Sequence, residues 1–243
     1  MPGAAVTALA PPGPQWLAAA GPAGWFGKLA SLGDFGSRRL PPQFTQACDQ
    51  WLSRGVASSQ ALLGERWLDA YLTAPVWRFA WGPGVVNPQW WIGVLMPSVD
   101  RVGRYFPLLV AQAGFNPPAT PRALAQAEHW FERVQAAMLG TLQAGGTVEA
   151  FDAALTGLPD WDDGASLPPP EPQRLPERQR FESAEGVSMG AWLPRVATAS
   201  WLQGLQGRSL WWPVREGAER TAVSVTHGLP AAERFVDLLD ASW

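Results

Sequence analysis

Residues 75–111 read PVWRFAWGPGVVNPQWWIGVLMPSVDRVGRYFPLLVA, and they decide the fold because they contain three apolar stretches of strand length. The stretches are Pro75–Trp81, Trp90–Met96 and Tyr105–Ala111, and short segments rich in turn-forming residues separate them. A parallel crossover needs about a dozen residues or more, so connections this short allow only antiparallel neighbours. The sequence therefore predicts a three-stranded antiparallel meander, in which Pro107 moves the third strand toward an edge position or a bulge.

Helical periodicity flanks this meander on both sides. Apolar residues at a spacing of three or four follow Pro41 and Pro42 as far as Val56, which predicts an amphipathic helix after a strand at Gly24–Leu29. Further helices are predicted at Gly64–Leu72, from Thr120 to about Ala144, from Thr147 to about Thr156, at Pro194–Gln206 and at Pro230–Leu239. Further strands are predicted at Gly186–Trp192, Ser209–Val214 and Thr221–Thr226. This alternation predicts an α/β fold, a single layered sandwich with a largely antiparallel or mixed sheet flanked by helices.

The 243 residues are enough for one large domain with short appendages. Residues 1–22 contain no lysine or arginine and are repeatedly interrupted by proline, so they are predicted to form a flexible arm and not a secretion signal. Residues 159–180 hold six prolines among many charges, which is typical of an extended loop. We therefore predict a single domain over residues 23–243 that carries a proline-rich loop at 159–180.

The charge and the counts of reactive residues exclude several classes of function. Eighteen basic against 21 acidic residues give a net charge of −3, so no basic field favours nucleic acid or an anionic membrane. One cysteine, Cys48, and two histidines, His129 and His227, exclude a disulfide framework, cysteine-rich metal sites and a three-histidine site. The sequence contains no run of about 18 apolar residues, which is the length that a membrane-spanning helix needs. We expect a cytoplasmic protein without a metal or another cofactor.

Two polar clusters stand out in a chain with only 16% charged residues: Gly33–Arg39 (GDFGSRR) and Ser98–Arg104 (SVDRVGR). One interpretation is structural, with Asp34 capping the backbone that follows it and Asp100 paired with an arginine to lock a hairpin. The other is a recognition surface, because protein interfaces favour arginine beside aromatic residues. The sequence leaves both interpretations open.

A catalytic role is the alternative that the sequence allows. Asp34 or Asp100 could meet His227 in a pocket and serve a hydrolase or a small-ligand site, since the members of such a site come together only in space. A structure distinguishes the two hypotheses. An enzyme would bring these side chains together in one cleft, whereas a docking protein would not need to.

Four segments of the chain resemble a known family. They are GWFGKLASLGDF (Gly24–Phe35), LDAYLTAPVWRFAWGPGV (Leu68–Val85), GVLMPSVDRVGRYFPL (Gly93–Leu108) and SLWW (Ser209–Trp212). They are similar to the corresponding segments of TagF, also called ImpM, the accessory protein of bacterial type VI secretion. The agreement is close over roughly residues 24–112 and weaker toward the C-terminus.

The resemblance implies a regulator and not a catalyst. TagF proteins are understood as post-translational repressors of type VI secretion that act with a forkhead-associated scaffold protein, and their fold is an α/β sandwich. No catalytic residues are carried over. As a hypothesis, we assign seven residues to a partner-contacting surface: Asp34, Arg38, Asp100, Arg101, Arg104, Trp211 and Trp212. A fixed structural component of the secretion apparatus is a further possibility. The sequence does not give the oligomeric state.

Overall fold

The structure, a computed structural model, describes residues 21–114, 121–158, 173–175, 178–182, 187–214, 222–240 and 242. Most of the predicted N-terminal arm at 1–22 and most of the predicted loop at 159–180 therefore lie outside the described residues, as does Thr120, the predicted helix cap. Within the loop region, β6 (Gln173–Leu175) and β7 (Arg178–Arg180) pair as two antiparallel strands.

A seven-stranded sheet forms the centre of the molecule. Its strands are β1 (Gly24–Lys28), β2 (Phe35–Arg38), β3 (Trp77–Trp81), β4 (Trp90–Met96), β5 (Leu108–Gly114), β8 (Arg208–Pro213) and β9 (Ser224–His227). They lie in the order β2-β1-β5-β4-β3-β8-β9, and every neighbouring pair is antiparallel. The predicted α/β class and the β3-β4-β5 meander are confirmed. β2 and β9 are the two outer strands.

Helices cover both faces of the sheet. They are α1 (Pro42–Leu63), α2 (Trp67–Thr73), α3 (Pro121–Gly140), α4 (Val148–Thr156), α5 (Met189–Gly204) and α6 (Phe235–Asp240). One apolar core joins a sheet face to α1, α2 and α6, and a second core joins the opposite face to α3 and α4. The chain is therefore a three-layered sandwich, because the strands are apolar on both faces. None of the described helices is both long enough and apolar enough to cross a membrane.

Two local predictions are wrong. β5 is not an edge strand and has no bulge at Pro107: it begins at Leu108 and lies between β1 and β4, so the N–H that proline lacks is not needed in the ladder. The predicted strand at Gly186–Trp192 is instead the start of α5 over its described part. Ser188 caps this helix, since its hydroxyl accepts a hydrogen bond from the Ala191 N–H.

Tryptophan indoles hold the C-terminal segment, residues 230–240, against the rest of the core. The Nε1 of Trp77 on β3 donates to the carbonyl of Leu238 on α6 at 2.8 Å, and the Nε1 of Trp51 on α1 donates to Pro230 at 2.9 Å. The Nε1 of Trp81, also on β3, is buried and has no partner among the described residues. Two indoles of the same strand thus have different polar environments in one core.

This difference leads to a stability prediction. We expect Trp77→Phe to lower the free energy of unfolding by about 1 kcal/mol more than Trp81→Phe, because only the first change removes a buried hydrogen bond. Both changes shrink a buried ring by the same amount, so each is the control for the other. Urea unfolding followed by circular dichroism measures the difference. Equal losses would show that the Trp77–Leu238 bond adds nothing to stability.

Candidate functional site

The two polar clusters of the sequence lie next to each other in the fold. The first, Gly33–Arg39, takes in the end of the connection between β1 and β2 and the whole of β2, and the second, Ser98–Arg104, lies in the connection between β4 and β5. β1 lies beside β5, so the antiparallel order brings both loops together. We call the surface formed by residues 31–39 and 98–104 the paired-loop surface.

Asp100 organises the second loop from inside. Its side chain is completely buried, and its Oδ1 accepts hydrogen bonds from the backbone N–H of Val102 at 3.0 Å and of Arg104 at 2.9 Å. Its Oδ2 lies 2.7 Å from Nε of Arg104 and 3.0 Å from Nζ of Lys28 on β1. Burial alone would raise the pKa of Asp100. The bonds from the Arg104 backbone, Lys28, the Arg104 guanidinium and Val102 outweigh burial and hold that pKa well below its ordinary value.

The two loops are also joined directly. The Arg101 N–H donates to the Leu32 carbonyl at 2.8 Å, and the guanidinium of Arg104 donates to the carbonyl of Gly33. The same guanidinium lies 3.9 Å from the carboxylate of Asp34, whose side chain is 84% exposed. One backbone bond and the bonds of the Arg104 guanidinium therefore fix one loop against the other, which makes the surface rigid before any partner binds.

Apolar side chains are exposed on this rigid surface. Phe35, at the start of β2, stacks on Phe26 at 6.0 Å and meets Phe106 edge-on at 4.8 Å, yet 46% of it is exposed. Nζ of Lys28 lies 5.0 Å from the centre of the Phe35 ring. Val102 at the tip of the second loop is 63% exposed. A positioned aromatic ring beside arginines is a composition that protein interfaces favour.

A second ionic cluster fastens β2 to α4. Asp152 accepts from Nε1 of Trp25 at 3.0 Å and pairs with Arg38 at 2.9 Å and with Arg39 at 2.6 Å. The Arg39 hydrogen bond contributes most to lowering the pKa of Asp152; burial raises that pKa but is outweighed once Trp25 and Arg38 are added. The carboxylate therefore stays charged at neutral pH, and the cluster holds the hairpin against the helix layer.

The structure places the predicted site residues in different environments. Asp34, Arg38, Arg101 and Arg104 are exposed on or beside the paired-loop surface. Asp100 is buried beneath it, so its role is the structural one of the two interpretations.

The tryptophan assignment needs correction. Trp211 is fully buried in the core beside Trp51 and Phe79, so its ring is not available to a partner. Trp212 is half-buried and packs edge-on against Phe131 of α3 at 5.3 Å. Both residues lie on β8, away from the two loops. Adjacent residues of a strand point to opposite faces of the sheet, so two neighbouring tryptophans in an apolar strand indicate a sheet that is covered on both faces.

The residues of the alternative catalytic site do not meet. Asp34 precedes β2 and His227 ends β9, so they lie at opposite edges of the sheet, six strand spacings or roughly 29 Å apart. Asp100 follows the end of β4, whereas the ladder register places His227 level with the beginning of β4. Among the described residues there is no group of three or more histidine, cysteine, aspartate or glutamate side chains arranged to hold a metal ion.

Burial also sets the protonation state of the one cysteine, Cys48. Cys48 is fully buried on α1, and burial, with the nearby Asp49 charge, raises its pKa far above the ordinary value. A thiol in this environment stays protonated and does not act as a nucleophile.

One small apolar cavity of about 20 Å³ lies between α2, α6 and the sheet, in the part of the chain that the structure describes. It is bordered by Tyr71, Trp77, Leu95 and Phe235, among other residues. A volume of this size holds about one water molecule. It has no room for a substrate and no ionisable carboxylate or imidazole in its wall.

Sequence reasoning missed two residues that build the site. The sequence predicts Lys28 only as part of a strand and Asp152 only as part of a short helix. Their partners are distant in sequence: Asp152 and Trp25, for example, are 127 positions apart. No local sequence pattern therefore predicts these side-chain contacts. The one available signal is a lysine at the end of an otherwise apolar strand, because a buried lysine requires a buried carboxylate.

Comparisons with known proteins agree with this geometry. The family model for the TagF N-terminal domain, described as type VI secretion system-associated, matches residues 24–158. A crystal structure of PA0076 from Pseudomonas aeruginosa PAO1 is similar with a TM-score of 0.71 and 38% sequence identity. The similarity covers 89% of this chain and 93% of that one, so it extends beyond the range of the family model. No curated protein gives a significant match.

Proposed function

Since this chain belongs to the TagF family, which is associated with type VI secretion, we propose that it is a non-catalytic cytoplasmic regulator of that system. It represses secretion post-translationally by binding a protein partner through the paired-loop surface. The partner is the forkhead-associated scaffold protein of the same system. The proposal combines what the family resemblance implies with the surface on which this chain's arginines and its aromatic ring are exposed together.

The rigid pairing of the two loops is the observation that carries the proposal. A buried carboxylate holds the second loop, and one backbone bond and one guanidinium bond attach it to the first. Arg101, Phe35 and Val102 are left exposed on this surface. Ordering long side chains on binding costs about 0.5–1.5 kcal/mol each, so a surface that is already fixed loses less affinity to entropy. A repressor that acts by occupying its partner needs such a surface and no group with a catalytic pKa.

Two observations support a role without catalysis. The carboxylates and the imidazole that could form a hydrolase site are separated across the sheet. The carboxylates with strongly shifted pKa values, Asp100 and Asp152, are shifted toward the permanently charged form by arginine and lysine partners. Groups of this kind stabilise a structure and do not exchange protons near neutral pH.

Arg101 provides the test. Its side chain is exposed, and no carboxylate among the described residues forms an ion pair with it. We expect Arg101→Glu to weaken capture of the purified scaffold protein by about tenfold or more, because reversing an interfacial charge adds repulsion to the lost attraction. The melting temperature should stay within about 2 °C of the native value, since the folded chain loses no ion pair.

Arg54→Glu is the matched control. Arg54 is exposed on α1, away from the loops, and the change alters the net charge equally. Capture should persist in this variant, as measured by pull-down and by titration calorimetry. Failure of the native chain to capture the scaffold protein, or equal capture by Arg101→Glu, would contradict the proposal.

A further inference from the structure

β2 is an outer strand whose free side faces solvent. It pairs with β1 only, and in the described part of the chain no strand lies beyond it. Phe35, Ser37 and Arg38 are exposed. An outer strand presents backbone donors and acceptors that an extended segment of another chain can satisfy.

The direction of the free backbone groups follows from one hydrogen bond. The Phe35 N–H donates to Oδ1 of Asp34 at 2.8 Å and thus not to β1. Alternate residues of a strand point their backbone groups to the same side, so the N–H and carbonyl of Ser37 face away from β1 as well. Gly36 lies between them with its face against the Trp25 ring, where a Cβ would be 2.5 Å from the ring carbons.

The surroundings of β2 are basic in a chain that is acidic overall. Arg38 lies at one end of the strand, with its side chain 46% exposed, and Arg104 near the other, with its side chain 55% exposed. Arg101 adds an exposed charge in the adjoining loop. The acidic groups of this region, Asp34, Asp100 and Asp152, are outnumbered by Lys28, Arg38, Arg39, Arg101 and Arg104, whereas the whole chain has a net charge of −3.

The opposite outer strand has a different character. β9 (Ser224–His227) has no arginine or lysine, and its Val225 is 49% exposed. A strand-shaped acidic segment is therefore attracted to one edge of the sheet and not to the other.

We propose that β2 is a strand-addition site for an extended, acidic segment of a partner protein. The segment forms backbone hydrogen bonds with Ser37 and the Phe35 carbonyl, its carboxylates pair with Arg38 and Arg101, and an apolar residue covers the exposed part of the Phe35 ring. This inference rests on the proposed function, for which it names the chemistry of the partner segment.

The test uses a synthetic probe, so it does not depend on the identity of the partner. Fluorescein-labelled Glu-Val-Glu-Val-Glu-Val-Glu is titrated with the full chain, and anisotropy reports binding. We expect the peptide to bind more tightly than Lys-Val-Lys-Val-Lys-Val-Lys and to weaken as sodium chloride is raised, since salt screens exposed charges. The same acidic peptide with N-methyl groups on alternate residues should lose binding, because it keeps its charges and cannot complete the ladder.

Two variants at one position separate the backbone from the side chain. Ser37→Pro removes the outward N–H and is compatible with an outer strand, whereas Ser37→Ala keeps it. We expect Ser37→Pro to weaken peptide binding by about tenfold and Ser37→Ala to change it by less than about twofold. If Ser37→Pro does not fold, the N-methylated peptide tests the same hydrogen bonds on the native chain.

Each outcome is decisive. Equal binding of the acidic and basic peptides, equal binding of the methylated peptide, or no binding of any peptide would overturn the strand-addition site. If the native chain captures the scaffold protein and Ser37→Pro captures it equally well, the proposed function stands and this inference fails. If the acidic peptide binds as expected and the scaffold protein is not captured, the strand-addition site stands and the choice of partner is wrong.

Discussion

Replacement of Asp100 by asparagine is expected to lower the melting temperature by on the order of 10 °C. The amide keeps the shape of the side chain but leaves the ammonium of Lys28 buried without a counter-charge and weakens the bonds from Arg104. Breaking one half of a buried ion pair is among the most destabilising single changes known in proteins. Thermal unfolding followed by circular dichroism measures the shift.

Two companion variants identify the cause. Asp34→Asn makes the same chemical change at a side chain that is 84% exposed, and the melting temperature should change by less than about 2 °C. Lys28→Met combined with Asp100→Asn removes both members of the buried pair and should recover part of the loss, because no unpaired charge remains. A melting temperature for Asp100→Asn equal to that of the native chain would mean that the ion pair does not hold the loop.

The second large effect is expected at Gly27, the fourth of the five residues of β1. Its φ is +134°, and a Cβ there would lie 2.2 Å from the Pro107 carbonyl oxygen on the neighbouring chain segment. Gly27→Ala therefore combines a backbone conformation that L-residues avoid with a clash against main chain that cannot rotate away. We expect a loss of about 4 kcal/mol or more in the free energy of unfolding, or no folded protein.

Gly64→Ala is the matched control for this variant. Gly64 also has a positive φ, +54°, but a Cβ there would have no atom within 4 Å. Its ψ is −127°, outside the left-handed helical region, and its loss should be about 1–3 kcal/mol, the cost of a sparsely populated backbone conformation alone. Urea titration of both variants separates the cost of the backbone conformation from the cost of the steric clash. Equal losses in the free energy of unfolding would show that the clash with Pro107 relaxes at little cost.

Local chemistry explains which parts of the fold were predictable from the sequence. The Pro41–Pro42 start of α1, the Thr147 cap of α4 and the β3-β4-β5 meander are set by residues close together in the chain, and all three are confirmed. The prediction of a strand at the start of α5 is wrong because Trp192 and its apolar neighbours fit a strand or a buried helix face equally well, and only the Ser188 cap distinguishes them.

In the candidate site, too, local features were predictable from the sequence and long-range contacts were not. Asp34 and Arg101 were predictable as loop residues, since turn-forming neighbours surround them, and both lie on the paired-loop surface. The burial of Asp100 beside Lys28 depends on β1 lying next to β5, a long-range choice that no short pattern specifies. The prediction that Trp211 lies on a surface is wrong because composition alone does not distinguish an aromatic residue that binds a partner from one in the core.

The position of β8 beside β3 sets the order in which a ribosome can complete this protein. β3 has β4 on one side from an early stage of translation, but its other neighbour is encoded after residue 207 and carries Trp211 into the core. At ordinary elongation rates the nascent chain waits on the order of ten seconds between the two events. During that interval the aromatic strand Trp77–Trp81 has one unpaired edge. Chaperone binding, or slow codons between β4 and β8, would therefore act on a partly folded chain whose exposed edge is prone to aggregation.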